Sequence, residues 1–149
     1  MIIDKETHIK NILNSYLNLT GLSILPPLLN PVDLTTYFDQ VDFVLLSHGT
    51  EPDPILNYGN KMAMNLWEMP PEEFLSTPSR KTAEMPLREE REKLLQRVNT
   101  YGFISDYKGI RVSKSGRRFE IRQATVWNIY NENKLKIGQA AMFKEYSYL

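Results

Sequence analysis

Residues 113–143 read SKSGRRFEIRQATVWNIYNENKLKIGQAAMF and predict a β-hairpin of two long strands. On the first strand every second side chain is apolar or uncharged, which places one set on a single sheet face: Phe119, Ile121, Gln123, Thr125, Trp127 and Ile129. Residues 131–134, NENK, suit the turn because asparagine tolerates left-handed backbone. The returning strand repeats the alternation at Leu135, Ile137, Gln139, Ala141 and Phe143. Two amides, Gln123 and Gln139, are therefore expected among inward-facing apolar side chains.

The residues before the hairpin predict an α+β domain. Clusters of β-branched and aromatic residues predict further strands at 41–48, 55–58 and 103–112. Helices are predicted at 60–67, 69–75 and 86–101. Asn60 is a suitable N-cap for the first of these helices, and Gly102 a suitable stop for the last. Because the helices fall between the second and third strands, they are expected to cover one face of an antiparallel sheet.

The N-terminal residues predict a separate amphipathic helix. Its apolar stripe consists of Ile9, Ile12, Leu13, Tyr16 and Leu17. A helix this short is marginal alone in water, so its stripe must pack on its own sheet or on a second copy of the chain. Residues 25–31, LPPLLNP, predict a linker because proline cannot continue a helix. We therefore divide the chain into an N-terminal helix and linker at 1–37 and a compact domain at 38–149.

Composition excludes several classes of protein. The chain has 149 residues, enough for one domain with one core, and it has no cysteine, so thiol nucleophiles and cysteinyl adducts of a chromophore are excluded. Its formal net charge is zero, which gives no electrostatic reason to expect direct nucleic-acid binding or an acidic membrane partner. No signal-peptide or membrane-spanning pattern is present in the sequence, and a cytoplasmic location is expected.

Several short phrases, taken together, resemble one known family. They are ILNYGN at 55–60, PSR at 78–80, REER at 88–91, GIRVS at 109–113, GRRF at 116–119, ATVWN at 124–128 and GQAA at 138–141. In this order the chain resembles the MEKHLA domain, a relative of the PAS sensor fold, in its free-standing bacterial form. The resemblance implies a five-stranded antiparallel sheet with helices on one face. It also implies a space between helices and sheet that holds a ligand or is packed shut, and an outer face that meets the N-terminal helix or a partner.

The candidate ligand-binding residues follow from the alternation and from this resemblance. Gln123, Thr125 and Gln139 are expected to face the helices, where they can satisfy one another or bind a polar ligand. Gln139 resembles the inward amide that reads the ring in flavin-binding PAS relatives. The aromatic candidates Trp127, Trp67 and Tyr58 serve as core residues or as stacking surfaces. No cofactor is identified by these residues.

The arginines offer a second kind of binding chemistry. They are Arg80, Arg88, Arg91, Arg111, Arg117 and Arg118. A convergent pair of them, for which Arg111 is the candidate, would suit a carboxylate or phosphate ligand. Alternatively, the neighbouring glutamates pair with them as structural ion pairs.

Catalytic and metal-binding patterns are not found in the sequence. His8 and His48 share no metal spacing with each other or with carboxylates, although a haem on His48 stays open. The first hypothesis is a non-enzymatic sensory module that binds a small ligand and signals through a partner or a homodimer formed by the N-terminal helix. The alternative is a ligand-free protein-interaction module with a packed core. A third, a small enzyme, would have to use Asp106, Glu120 or His48, none of which has an evident partner.

Overall fold

A six-stranded antiparallel sheet carries helices on both faces in the computed structural model, which describes residues 4–26, 33–84 and 88–149. The helices are α1 (Lys5–Thr20), α2 (Leu34–Phe38), α3 (Lys61–Trp67), α4 (Pro71–Phe74) and α5 (Arg88–Tyr101), with a 3-10 turn at Ser79–Thr82. The strands are β1 (Val44–His48), β2 (Leu56–Gly59), β3 (Phe103–Val112), β4 (Arg118–Tyr130), β5 (Lys136–Phe143) and β6 (Glu145–Tyr148). The spatial order is β2-β1-β5-β4-β3, and β6 also pairs with β4. The predicted α+β class with an N-terminal helix is confirmed.

The predicted hairpin is formed by β4 and β5. Asn131 begins its turn and accepts hydrogen bonds through Oδ1 from the backbone N–H groups of Asn133 and Leu135, at 2.9 and 3.1 Å. Of β4, only the second half pairs with β5, with Trp127 opposite Ala140. The other edge of β5 pairs with β1. The first half of β4, residues 119–122, pairs with β6, which the sequence analysis did not predict. One long strand therefore serves two successive partners on the same side.

A β-bulge at Gln123 overturns the prediction that one side-chain face runs along all of β4. Gln123 has a φ of 53°, and between the pairs Ile121–Gly109 and Ala124–Tyr107 two residues of β4 oppose one of β3. Because the extra residue shifts the period of two by one, Ala124 follows Ile121 on the same face. Thr125, Trp127 and Ile129 consequently lie on the opposite face, so the single alternation predicted from Phe119 onward was wrong.

The inner face of the sheet is the one covered by α3, α4 and α5. Its aromatic centre is Trp67, which packs edge-on against Phe119 and Phe143 with ring centroids 5.3 and 6.2 Å apart. Beside it, α5 places Leu94 and Val98 on the sheet. These helices correspond to those expected to cover one face.

The outer face is covered by α1, which packs on its own sheet rather than standing free. Ile9, Ile12 and Tyr16 are buried against Trp127 and its neighbours. The indole N–H of Trp127 donates to the carbonyl of Ile12 at 3.1 Å. Leu17, predicted in the same stripe, is 45% exposed. Of the two predicted alternatives, packing on the sheet is the one seen, and pairing through the same stripe would require α1 to leave it.

The short helix α2 is a feature that the sequence analysis missed, because it follows a proline-rich segment. Its N-terminus is capped by Glu6 of α1, whose carboxylate accepts from the N–H groups of Leu34 and Thr35 at 2.6 and 2.9 Å. The hydroxyl of Thr35 donates to the same carboxylate and, as the largest effect, lowers the pKa of Glu6. Most of the predicted linker at 25–31 lies outside the described residues, and the division of the chain near residue 38 stays a prediction.

Asn60 is the N-cap of α3, as predicted, and it also ties the helix to the sheet. Its Oδ1 accepts from the N–H of Ala63 at 3.1 Å, while its Nδ2 donates to the carbonyls of Phe38 and Phe43 at 3.0 and 2.9 Å. Such a cap contributes about 0.5–2 kcal/mol. The predicted start of α5 at Pro86 lies outside the described residues. Among the helices described, none has the length and apolar character to span a bilayer.

Candidate functional site

A cavity of about 70 Å³ lies between the inner sheet face and the helices. Much of its wall is apolar, formed by Leu56, Trp67, Leu94, Ile121 and Phe143. The polar or charged residues on the same wall include His48, Ser79, Thr82, Arg91, Arg111 and Gln139. An apolar chamber with a few placed polar groups is the usual form of a small-molecule site.

His48 presents an unprotonated nitrogen at this cavity. Its Nδ1 lies 2.9 Å from the carbonyl of Gly49, and since a carbonyl only accepts, Nδ1 carries the proton. Burial is the main cause that lowers the pKa of His48, and the charge of Arg91 lowers it further. The ring is therefore neutral at pH 7. Its Nε2 is a buried acceptor with no hydrogen-bond partner in the part of the chain that the structure describes.

Gln139 stands directly opposite His48 in the pairing of β1 with β5, and its amide orientation is fixed by neighbours. Asn128 on β4 donates through Nδ2 to the carbonyl of Val98 at 3.2 Å, which makes Asn128 Oδ1 an acceptor. The Nε2 of Gln139 donates to that oxygen at 3.0 Å and to Asn99 Oδ1 at 3.1 Å. The remaining oxygen, Gln139 Oε1, is buried without a donor among the described residues.

Two buried arginines supply positive charge to the same wall. Arg91 on α5 is 4% exposed and Arg111 on β3 is 7% exposed. Arg91 Nη2 donates to the hydroxyl of Ser79, and its Nη1 lies 3.8 Å from the carboxylate of Glu92, which points into solvent. Arg111 Nη1 donates to the carbonyl of Ile110 at 2.9 Å and sits over the ring of Tyr107 at 5.4 Å. Neither guanidinium is matched by a buried carboxylate within the described ranges.

The proximity of these two charges is visible in their electrostatics. Burial lowers the pKa of Arg91 to about 10, and the charge of Arg111 is the next cause. A cation that is buried beside a like charge is destabilised unless an anion joins it. Together the two arginines make the part of the cavity wall that they form electropositive.

Three of the seven predicted ligand-binding residues line this cavity, namely Gln139, Trp67 and Arg111. The other four do not, because the Gln123 bulge or their strand position turns them away. Gln123 is exposed, Thr125 lies beside it in a shallow depression with Tyr16, and Trp127 is under α1. Tyr58 also lies on the outer face, and burial raises the pKa of its hydroxyl. The prediction that Gln123 and Thr125 face the helices was wrong for this reason.

Sequence reasoning missed Asn128, Ser79 and Thr82, and it did not distinguish the buried Arg91 from the other five arginines. Asn128 could be found only by knowing that the bulge shifts the alternation. Arg91 had a usable signal, because it falls three and seven residues before Leu94 and Val98 on the apolar face of α5. No cluster of three metal-ligating side chains is found in residues 4–26, 33–84 and 88–149.

Solved structures with similar folds are PAS and light-oxygen-voltage domains. The PAS domain of a protein from Colwellia psychrerythraea is 18% identical, with a TM-score of 0.61, and the alignment covers 78% of this chain and 93% of that one. The light-state dimer of the fungal blue-light photoreceptor Vivid is 13% identical, with a TM-score of 0.61, and the alignment covers 97% and 95%. At these identities the likeness shows a PAS-like fold.

An RNA-binding light-oxygen-voltage receptor is similar over part of its length. It is 15% identical with a TM-score of 0.62, and the alignment covers 80% of this chain but only 36% of the receptor. A comparison with curated protein sequences finds no significant match. The sequence model of the MEKHLA domain matches residues 6–148. Because that match spans nearly the whole chain and the sheet has the PAS-like form, the chain belongs to the MEKHLA domain family.

Proposed function

We propose that this chain is a non-enzymatic sensory module of PAS type that binds a small molecule in the inner cavity. The observation that supports it most is a concentration of unsatisfied polar atoms on residues of one cavity wall: His48 Nε2, Trp67 Nε1 and Gln139 Oε1. Each buried, unpaired group costs about 1–3 kcal/mol. The free energy of unfolding of a domain is only roughly 5–15 kcal/mol, so three such groups would lower it by a large fraction unless a bound molecule forms hydrogen bonds with them.

The same strands offer a short route from the cavity to the outer face. His48 and Gln139 belong to the cavity wall, and their chain neighbours Ser47 and Ala140, which also border it, direct their side chains to the opposite face, under α1. Ser47 is also hydrogen-bonded to His8 of α1 at 2.9 Å. A ligand that shifts β1 or β5 would therefore move the footing of α1. We propose that the signal leaves through α1, to a partner protein or to a second copy of the chain.

A ligand-free interaction module is the second candidate, favoured by the size of the cavity. Ligand pockets for drug-sized molecules are roughly 300–1,000 Å³, well above the 70 Å³ found here. A flavin ring does not fit this volume, and the chain has no cysteine with which to form a flavin adduct. If the cavity is simply imperfect packing, the outer face and α1 would carry the whole function.

Native mass spectrometry of the purified chain, beside its denatured mass and its absorbance spectrum, separates the two candidates. The sensory proposal expects an additional mass that dissociates on denaturation. It also expects that Gln139→Leu loses this mass, while Gln96→Leu, the same change at an exposed position of α5, retains it. A bare polypeptide in all three proteins would contradict ligand binding and favour the interaction module.

A further inference from the structure

We infer that the ligand of the inner cavity is a small hydroxycarboxylate of two or three carbon atoms. This inference rests on the proposed function and names the chemical class of its ligand. It follows from two chemically different sets of groups on the cavity wall, two buried cations and two buried acceptors that have no donor among the described residues.

The two buried arginines on the cavity wall favour a ligand with a carboxylate. Arg91 and Arg111 are both more than nine-tenths buried, and among the described residues the carboxylate that pairs with Arg91, that of Glu92, lies 3.8 Å from its Nη1 and is 65% exposed. Guanidinium groups bind carboxylates through paired, charge-assisted hydrogen bonds. The indole N–H of Trp67, buried and unpaired, is a third donor on the same wall. A neutral ligand would leave two buried cations without an anion.

The two buried acceptor atoms on the cavity wall favour a ligand with a neutral hydroxyl group. His48 Nε2 and Gln139 Oε1 belong to residues paired across β1 and β5, and both are acceptors without a donor. A ligand group between them must therefore donate. An ammonium would donate too, but the described wall of the cavity contains no aspartate or glutamate to neutralise it, and both arginines would repel it. A hydroxyl group satisfies the acceptors without adding positive charge.

The volume limits the length of the ligand. A cavity needs about 10–15 Å³ of such space for each water-sized group, so 70 Å³ admits roughly five to seven non-hydrogen atoms. Glycolate, lactate and glycerate are within or at this limit. Aromatic acids and nucleotides exceed it.

Isothermal titration of the full chain, freed of any bound ligand by unfolding and refolding, tests the inference with glycolate, lactate and glycerate. Two comparison compounds each remove one feature of lactate: propionate lacks the hydroxyl, and propane-1,2-diol lacks the charge. At least one hydroxycarboxylate is expected to bind. Propionate is expected to bind roughly tenfold more weakly than lactate, and the diol not measurably.

Arg111→Gln is expected to weaken binding by roughly ten- to a hundredfold, because it removes charge-assisted hydrogen bonds. Arg97→Gln, on the exposed side of α5, is the matched control and should bind as the unmodified chain does. If Arg111→Gln fails to fold, Gln139→Glu serves instead, since it places a negative charge in the cavity and should abolish binding of the anion.

Four results would overturn the inference. Equal binding of lactate and propionate would refute recognition of the hydroxyl group. Undiminished binding by both Arg111→Gln and Gln139→Glu would refute recognition of the carboxylate. Binding of none of the hydroxycarboxylates by chain that natively carries a different mass refutes this ligand class but leaves the sensory function standing. Failure of all compounds with a bare native mass refutes both.

Discussion

The two faces of the sheet satisfy their buried polar groups very differently. On the outer face, Trp127 donates to Ile12, His8 and Ser47 are hydrogen-bonded, and Ser15 accepts from the N–H of Tyr130 at 2.8 Å. On the inner face, His48, Trp67 and Gln139 each have a buried atom without a partner among the described residues. Tyr58 is the exception on the outer face, since its hydroxyl is also unpaired. The contrast supports the proposal that the inner face binds a small molecule, whereas the outer face mainly holds α1 on the sheet.

The largest expected effect is on the outer face. Ile12→Ala should lower the free energy of unfolding by about 2–5 kcal/mol, because Ile12 is fully buried under α1 and its loss leaves a cavity. Urea unfolding measures this. Leu17→Ala on the same helix is the control and should change stability by less than about 0.5 kcal/mol, since Leu17 is exposed. Equal effects of the two substitutions would show that α1 does not rest on the sheet.

The two tryptophans compare the faces directly. Trp127→Phe removes the indole hydrogen bond to the carbonyl of Ile12, whereas Trp67→Phe removes an indole N–H that has no partner among the described residues. In ligand-free protein Trp127→Phe should therefore be the more destabilising by about 1–3 kcal/mol. Thermal unfolding monitored by circular dichroism checks the difference. The reverse order would contradict the assignment of a satisfied outer and an unsatisfied inner face.

Acid should destabilise the outer face through His8. Ser47 donates to Asn57 Oδ1 at 2.5 Å, so His8 Nε2 donates to Ser47, and it is the burial of the ring, not this hydrogen bond, that favours the neutral form. Burial lowers the pKa of His8 from its usual 6.5. As the pH falls, the unfolded chain binds a proton at His8 before the folded chain does. The stability from this group is therefore complete above pH 6.5 and declines as the pH falls toward the lowered pKa. The loss is at most about 1.4 kcal/mol for each pH unit that separates the folded and unfolded pKa values.

The measurement is the urea midpoint at a series of pH values, compared with that of His8→Gln. The variant keeps a donor for Ser47 but cannot be protonated, so its midpoint should fall less steeply below pH 6.5. His48 titrates in the same direction and stays in both proteins, which leaves the difference between the two curves attributable to His8. Parallel curves would refute this contribution.

The smallest expected effect concerns the bulge that separates the faces. Gln123 adopts a φ of 53°, a backbone conformation that costs a residue with a side chain roughly 1–2 kcal/mol. Replacement by glycine removes this cost, but the greater entropy of glycine in the unfolded chain partly cancels the gain. Gln123→Gly should therefore leave stability unchanged or raise it by up to about 1 kcal/mol. Gln123→Val should lower it, since a β-branched residue tolerates this backbone poorly. Thermal unfolding of both variants distinguishes a bulge from a regular strand.

The sequence sufficed for most of the elements because their signals are local. Asn60 caps α3, Gly102 ends α5 at a φ of 89°, and Asn131 begins the hairpin turn, each through chemistry within a few residues. The strand β6 was missed because it depends on a distant partner, β4. Helix α2 was missed because it follows a proline-rich segment, and its N-terminus is capped by the distant Glu6 as well as by its own Asp33.

The site was only partly predictable because its position depends on the bulge. Gln139 lines the cavity as the alternation of β5 predicted, and Arg111, predicted for its charge and not for its position, lines it too, while their binding of a ligand stays a prediction. Gln123 and Thr125 were assigned to the cavity because a period of two was extended through a position where the pairing adds a residue. Whether a glutamine adopts left-handed backbone is decided by the register of the neighbouring strands, which single-sequence periodicity does not contain.

The bulge also constrains how this family can vary. Because Phe119 and Trp127 lie on opposite faces only by virtue of one additional residue between them, a deletion or insertion in that segment would exchange the side chains that meet α1 with those that meet the cavity. We therefore expect relatives to keep seven residues between the two rings and to carry at position 123 a residue that tolerates left-handed backbone.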